Sequence, residues 1–188
     1  GGKAAGISGK DGNLLVAEKK LMMVDGEEVD LGRVGKVKKI NTEILETLSK
    51  AGYIPVVSPV AVDEDGNSYN INADYAAGEL AGALNADKFI LLTNVRVVMR
   101  DINDPSSLYS KLYYNEVHKL MNGGIIVGGM LPKVEACMVA INAGVSRSHI
   151  LDGRIKHSLL LEIFTDEGIG TMIVSKTKEE RLKKGSEN

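Results

Sequence analysis

Short apolar runs alternate with segments of helical period along most of this chain, and this alternation limits the folds that the chain can adopt. Phe89–Leu92 and Ser148–Leu151 are too short for helices and are typical of strands in the interior of a sheet. Pro132–Gly144 lies between them and carries apolar residues at helical spacing. A β–α–β–α order favours a mostly parallel sheet with helices on both faces, so the sequence predicts an α/β fold.

The first part of the chain has a different pattern. Leu14–Met23 and Val34–Ile40 are strand-like and flank a turn at Asp25-Gly26, which predicts an antiparallel hairpin. Ala4–Gly9 is predicted as a short buried strand, and a helix is expected from Asn41 or Thr42 to Gly52. The remaining predicted elements are a strand with Pro55 and Pro59 at residues 53–62, helices at 73–84, 110–121 and 158–164, a last strand at 171–174, and a charged tail at 176–188.

Composition excludes several classes of protein. The chain has 188 residues, of which 44% are hydrophobic, and a net charge of −2, a balance typical of soluble globular proteins. That charge gives no electrostatic footprint for nucleic acid or an anionic membrane. The single Cys137 excludes an intrachain disulfide and a cysteine zinc site, and it favours a reducing, cytoplasmic location. No apolar stretch approaches the roughly 20 residues of a membrane span.

Lys133 is the first candidate for chemistry. Two glycine pairs, Gly123-Gly124 and Gly128-Gly129, precede a helix that Pro132 is expected to open. Lys133 would then lie in the first turn, where a cation opposes the helix dipole. Either an anion such as a phosphoryl group lies there, or the lysine simply extends into water.

Two other segments combine polar residues with a turn or a helix start. Asn72 is a plausible cap for a helix that carries Asp74 in its first turn, which explains both residues without a function but leaves Asn70 unexplained. Gly6–Asp11 contains Gly-Lys without the spacing of a Walker A loop, so a turn with an exposed lysine is the simpler interpretation.

Other reactive side chains give weaker signals. His118, His149 and His157 lack the spacing of a metal site, so no metal ligand is predicted among them. Cys137 lies on an apolar helix face, as a core residue would. No G-x-S-x-G serine is present, so the sequence predicts no covalent nucleophile.

Five segments in order resemble N-acetylglutamate kinases of the amino-acid kinase family: GISGKDGNLLVAEK, DLGRVGKVKKIN, YNINADYAAGELAGAL, GGMLPKVEAC and HILDGRIKHSLLLEIFTDEGIGTMI. The resemblance implies a three-layer αβα sandwich with a mainly parallel central sheet. It also implies a cytoplasmic enzyme that uses ATP with Mg²⁺ to phosphorylate the side-chain carboxylate of N-acetyl-L-glutamate in arginine biosynthesis, without a prosthetic group. The complete protein is expected to be a homo-oligomer.

The resemblance assigns roles residue by residue. Lys133 matches the lysine that contacts the transferring phosphoryl group, Asp74 the aspartate that organises the catalytic lysines, and Asn70 the asparagine that binds the acetylated amino acid. The nucleotide residues are Thr93, Asn94, Val95, Arg96, Val97, Val98, Met99, Ile125, Ile126, Val127, Gly128 and Gly129. Glu162 and Gly168 match positions that hold arginine in arginine-inhibited relatives, although a surface charge and a turn would also explain them.

Two departures from the family are visible. Family members have a longer N-terminal part, with another catalytic lysine and a substrate-binding arginine, so the chain is expected to be a C-terminal portion with weak or absent activity alone. Residues 1–52 would be the rest of the substrate-side lobe, 53–175 the nucleotide-binding lobe and 176–188 the tail. Asn94 stands where many members have Asp and Val97 where many have Gly, which affects the expected nucleotide contacts.

The residues and the family resemblance together leave three candidate functions. The first is acetylglutamate kinase with possible feedback inhibition by arginine. The second is another acyl-phosphate-forming amino-acid kinase, and the third is a non-catalytic fragment that binds arginine or nucleotide.

Overall fold

The chain divides into two compact units in a computed structural model that describes residues 1–94, 97–101, 103–165 and 168–175. Residues 1–83 form the first unit and the second begins at Leu84. This division falls after Ala83, whereas the first boundary was predicted after Gly52. The assignment of substrate-side and nucleotide-binding lobes stays a prediction, and the predicted tail at 176–188 lies outside the described residues.

The first unit is built on a long antiparallel hairpin. Strands β2 (Leu15–Val24) and β3 (Glu27–Ile40) are joined at Asp25-Gly26, whose φ angles of 51° and 88° match the two-residue turn that suits strand twist. They close a barrel with β5 (Val60–Val62) and β6 (Ser68–Asn70), while β1 (Ala4–Ser8) and β4 (Ile54–Ser58) form a separate parallel pair. The predicted hairpin is confirmed.

Two helices belong to this unit, α1 (Glu43–Lys50) and α2 (Ala73–Ala83). Both lie where the helical spacing predicted them. The core combines residues of the barrel strands and the two residues next to them, Leu14 and Ile71, with one residue of each helix: Leu14, Leu15, Ala17, Leu45, Ala61, Tyr69, Ile71 and Ala76 are buried.

Asn72 caps α2, as predicted. Its Oδ1 accepts hydrogen bonds from the backbone N–H groups of Asp74 at 3.0 Å and Tyr75 at 3.2 Å. We expect Asn72→Ala to lower the free energy of unfolding by about 1 kcal/mol, because two N–H groups lose their acceptor. Urea denaturation would measure this, and Asn72→Asp should restore most of the loss. An unchanged midpoint for Asn72→Ala would contradict the capping role.

The second unit has a four-stranded sheet with helices on both faces. Strands β7 (Lys88–Thr93) and β9 (Arg147–Asp152) are parallel, β10 (Thr171–Val174) is antiparallel to β9, and β8 (Lys111–Tyr113) is parallel to β10. The helices are α3 (Tyr114–Asn122), α4 (Leu131–Ala143) and α5 (Ser158–Phe164).

Two neighbouring residues of β9 show that this unit has three layers. Ser148 Oγ donates a hydrogen bond to the carbonyl of Cys137 in α4, at 3.2 Å. His149 Nδ1 lies 2.7 Å from Glu162 Oε1 in α5. Because successive side chains of a strand point to opposite faces, α4 and α5 cover opposite faces of the sheet. The predicted α/β sandwich with a mainly parallel sheet is confirmed.

Three local predictions were wrong. Lys111–Tyr113 is a strand rather than the start of the predicted helix, which begins at Tyr114. Leu92 is 57% exposed and β7 lies at the edge of the sheet formed by the described residues, so this strand is not fully buried. The strand β1 is only half-buried or exposed along its length, since its one partner in the described structure is β4.

Candidate functional site

An apolar cavity of about 630 Å³ in the second unit collects many of the predicted nucleotide residues. Val97, Val98, Met99, Ile125 and Val127 line it. Arg100, Asp101, Gly124 and Met130 line it as well and were not predicted. Their positions directly beside the predicted segments were the only signal for them in the sequence.

The predicted nucleotide residues do not all lie at this cavity. Thr93 and Asn94 lie at the end of β7, and Ile126 is buried with only 2% of its surface exposed. Gly128 and Gly129 begin a 3-10 helix, Gly128–Met130, that leads directly into α4. Val95 and Arg96 lie outside the described residues.

Lys133 is half-buried in the first turn of α4, as predicted. Since the short loop 144–146 joins α4 to β9, α4 runs back along the sheet and its first turn lies at the carboxyl end of β9. Each element is about 20 Å long, so the lengths agree. Met130, three residues before Lys133, lines the apolar cavity. Ligands of parallel α/β sheets bind at this edge, beside helix N-termini.

Asn70 lies in the first unit, at the exposed end of β6. It lines a second cavity, of about 500 Å³, together with Arg33, Val60, Gly66, Asn67, Ser68 and Tyr69. The guanidinium carbon of Arg33 lies 5.9 Å from the centre of the Tyr69 ring, a distance typical of cation–π contacts. Asp74 is half-buried in the first turn of α2, four residues after Asn70.

The Gly-Lys segment near the start of the chain is a turn, in agreement with the simpler interpretation. Asp11 accepts a hydrogen bond from the Ser8 backbone N–H at 2.7 Å, and the exposed Lys10 donates to Ser68 Oγ at 2.8 Å. A 3-10 helix follows at Asp11–Asn13.

Glu162 is a buried hydrogen-bond acceptor and not a surface charge. Its side chain is 7% exposed, and besides His149 it accepts the backbone N–H groups of Ile169 at 2.8 Å and Gly170 at 3.0 Å. Gly168 has φ +60°, and a Cβ there would lie 3.0 Å from Glu162 Oε2. Both residues line a cavity of about 380 Å³ whose basic lining residues are Lys88, Lys111, Arg147 and His149.

The environment of Glu162 predicts a pH dependence of stability. Burial raises the pKa of Glu162, but hydrogen bonds from Ile169, His149 and Gly170 outweigh it, so the pKa lies below its ordinary value of 4.5. A lowered folded-state pKa stabilises the fold above the unfolded-state value, and this stabilisation disappears as pH falls through the folded-state pKa.

We therefore expect urea midpoints to fall as pH drops from 5 toward about 3, and Glu162→Gln to flatten that slope. Glu28→Gln, at an exposed position on β3, is the control and should leave the slope unchanged. Equal slopes for Glu162→Gln and the unmodified chain would contradict this prediction.

Comparison with known sequences identifies the family. The sequence pattern of the amino acid kinase family matches residues 1–152. The chain belongs to the amino acid kinase family. This membership agrees with the three-layer second unit and with the predicted order of motifs.

One relative within the amino acid kinase family is the acetylglutamate kinase of Methanococcus aeolicus. It is 55% identical over 177 residues, which are 92% of this chain and 60% of the relative. The chain thus spans about three fifths of the length of that relative.

Solved structures show the same fold. N-acetylglutamate synthase from Neisseria gonorrhoeae, solved with coenzyme A and L-arginine, is 27% identical with a TM-score of 0.75, covering 93% of this chain and 38% of that one. A Giardia carbamate kinase is 18% identical with a TM-score of 0.68, covering 93% of this chain and 63% of that one. The likeness to the carbamate kinase shows only that the two chains share a fold.

The described residues lack two kinds of feature. None of their helices combines the length and apolar character that crossing a membrane requires. Within the same residues, no group of three or more His, Cys, Asp or Glu side chains is placed to hold a metal ion.

Proposed function

We propose that this chain carries out ATP-dependent phosphorylation of the side-chain carboxylate of N-acetyl-L-glutamate, as part of arginine biosynthesis in the cytoplasm. The observation that carries the proposal is the 630 Å³ cavity, where residues 97–99, 125 and 127 come together beside the helix start that bears Lys133. The 55% identity to an acetylglutamate kinase supports the choice of acceptor.

The apolar cavity suits the base of a nucleotide. Val98 and Val97 are buried, Val127 and Ile125 are exposed toward solvent, and all four supply apolar surface for a flat aromatic ring. With the base there, the phosphates would extend toward the first turn of α4. Its N–H groups and Lys133 favour negative charge at that position.

The acceptor would be bound by the cavity of the first unit. Asn70 offers an amide that can both donate to and accept from the N-acetyl group. The family resemblance alone assigns Asp74 its role, which is to organise the catalytic lysine. Residues Lys133, Asp74 and Asn70 are therefore the proposed catalytic and substrate-binding set.

The reaction needs no protein nucleophile. A carboxylate oxygen of the acceptor forms a bond to the γ-phosphorus while the bond to the bridging oxygen of ADP breaks, and no proton has to be removed from an ionised carboxylate. Lys133 would neutralise charge that develops on the transferred group. Mg²⁺ would enter with ATP, held largely by phosphate oxygens and water, and would neutralise part of the phosphate charge.

ADP release from MgATP tests the proposal, measured with N-acetyl-L-glutamate and, as the control acceptor, L-aspartate. We expect release with N-acetyl-L-glutamate only. Release with aspartate alone would indicate another acyl-phosphate-forming kinase. ATP binding without release in the presence of either acceptor would favour a non-catalytic nucleotide-binding chain, and no ATP binding would contradict all nucleotide-dependent functions.

Arginine binding is a second candidate function. The 380 Å³ cavity supports it, because Glu162 lines this cavity. The Glu162 carboxylate already accepts three hydrogen bonds and can accept a further one. A guanidinium group is a suitable donor to such a carboxylate. Calorimetric titration with arginine tests this candidate, and Lys88→Ala is the variant in which an effect on binding at this cavity is expected. Absence of heat at millimolar arginine would count against it.

A further inference from the structure

Arg154 is held in a defined orientation on the turn that follows β9. Asp152 Oδ1 accepts the backbone N–H of Arg154 at 3.0 Å and its Nε–H at 2.8 Å, and Asp152 Oδ2 accepts from Nη2 at 2.6 Å. The Asp152 side chain is only 13% exposed, whereas that of Arg154 is 57% exposed. The carboxylate thus fixes one edge of the guanidinium and leaves the other edge in solvent.

The turn itself does not need this side chain. The Gly153 N–H donates to the carbonyl of Thr93 at 2.8 Å, and the Ile155 N–H donates to that of Asp152 at 3.2 Å. These backbone bonds already close the turn and tie it to the end of β7. The guanidinium is therefore not required to close the turn.

The position of Arg154 is the edge of the sheet where the nucleotide phosphates are proposed to lie. Thr93 and Asp152 are directly paired across β7 and β9, so both strands end at the same level. The first turn of α4, with Lys133, lies at this edge too. Arg154 therefore adds a second cation at the carboxyl end of the parallel pair.

We propose that Arg154 binds the phosphate groups of the nucleotide, an inference that rests on the proposed function. A guanidinium has five N–H donors, and Asp152 takes two of them on the Nε side. The Nη1 side keeps a pair of donors whose spacing matches two phosphate oxygens. Among the described residues, Asp152 is the only partner of this side chain.

Calorimetry tests the inference by measuring the binding of ATP and of adenosine to the unmodified chain, to Arg154→Ala and to Arg154→Lys. We expect Arg154→Ala to weaken ATP binding by about 10- to 100-fold, the range of a charged hydrogen-bonded pair, and to leave adenosine binding unchanged. Arg154→Lys should lose less ATP affinity, because lysine keeps the positive charge but lacks the paired donors of a guanidinium. Lys156→Ala removes an exposed charge two residues away and should leave both affinities unchanged.

Each other outcome overturns the inference. Equal ATP affinity in Arg154→Ala and the unmodified chain would contradict the phosphate contact while leaving the proposed function intact. Equal weakening of ATP and adenosine, or an equal loss in Lys156→Ala, would indicate a structural or general charge effect. Failure of the unmodified chain to bind ATP would remove the proposed function and this inference together.

Discussion

Lys133→Ala should reduce N-acetyl-L-glutamate-dependent ADP release by about 100- to 1,000-fold, the cost of removing one group that stabilises developing charge in a transition state. Lys133 is half-buried in the first turn of α4, where a cation opposes the helix dipole and a bound phosphoryl group would offset that cost. If it acts on the transferring phosphoryl group, the loss appears in kcat, with little change in KM for either substrate.

Two further variants separate this role from a general loss of charge. Lys119→Ala removes an exposed lysine from α3 and should retain full activity. Lys133→Arg keeps the charge with a different shape and should recover only part of the rate. Activity of Lys133→Ala within about twofold of the unmodified chain would mean that Lys133 is a surface lysine, and the proposed catalytic set would have to be replaced.

The fold was predictable where local chemistry and burial agree. Asp25-Gly26 permits two positive φ angles, and Asn72 can cap a helix, so both elements were found from the sequence. Lys111–Tyr113 was assigned to the following helix because three residues are too few to show a period. Its strand conformation depends on pairing with β10, which lies about sixty residues later in the chain.

The site was predictable only in part. Helical spacing and a glycine-rich approach pointed to Lys133 from the residues alone. The roles of Asn70 and Asp74 came from the family resemblance, because the local pattern explains Asp74 as a residue of a capped helix and assigns no role to Asn70. The burial of Glu162 was missed, since its partners His149, Ile169 and Gly170 meet it only when α5 packs on the sheet.

Gly170→Ala should lower the free energy of unfolding by about 2–3 kcal/mol, the upper range for adding a methyl group to a closely packed site. An added Cβ would lie 2.3 Å from Leu151 Cδ2 and 2.6 Å from the carbonyl oxygen of Ile150. The leucine side chain can shift, but the Ile150 carbonyl belongs to the buried central strand β9 and cannot. The start of β10 must therefore move away from β9.

That movement has a second cost, so we expect Gly170→Ala to lower the free energy of unfolding by more than steric crowding alone would. The Gly170 N–H donates to Glu162 Oε2 at 3.0 Å, so displacing it leaves a buried carboxylate with one donor fewer. Gly6→Ala is the matched control, because no atom lies within 4 Å of an added Cβ on β1 and its φ is not positive. Urea denaturation should show a lower midpoint with an unchanged slope for Gly170→Ala and no loss for Gly6→Ala. A loss below about 0.5 kcal/mol for Gly170→Ala would mean that β9 and β10 can separate without disturbing Glu162, and the tight approach of these strands would not be needed for stability.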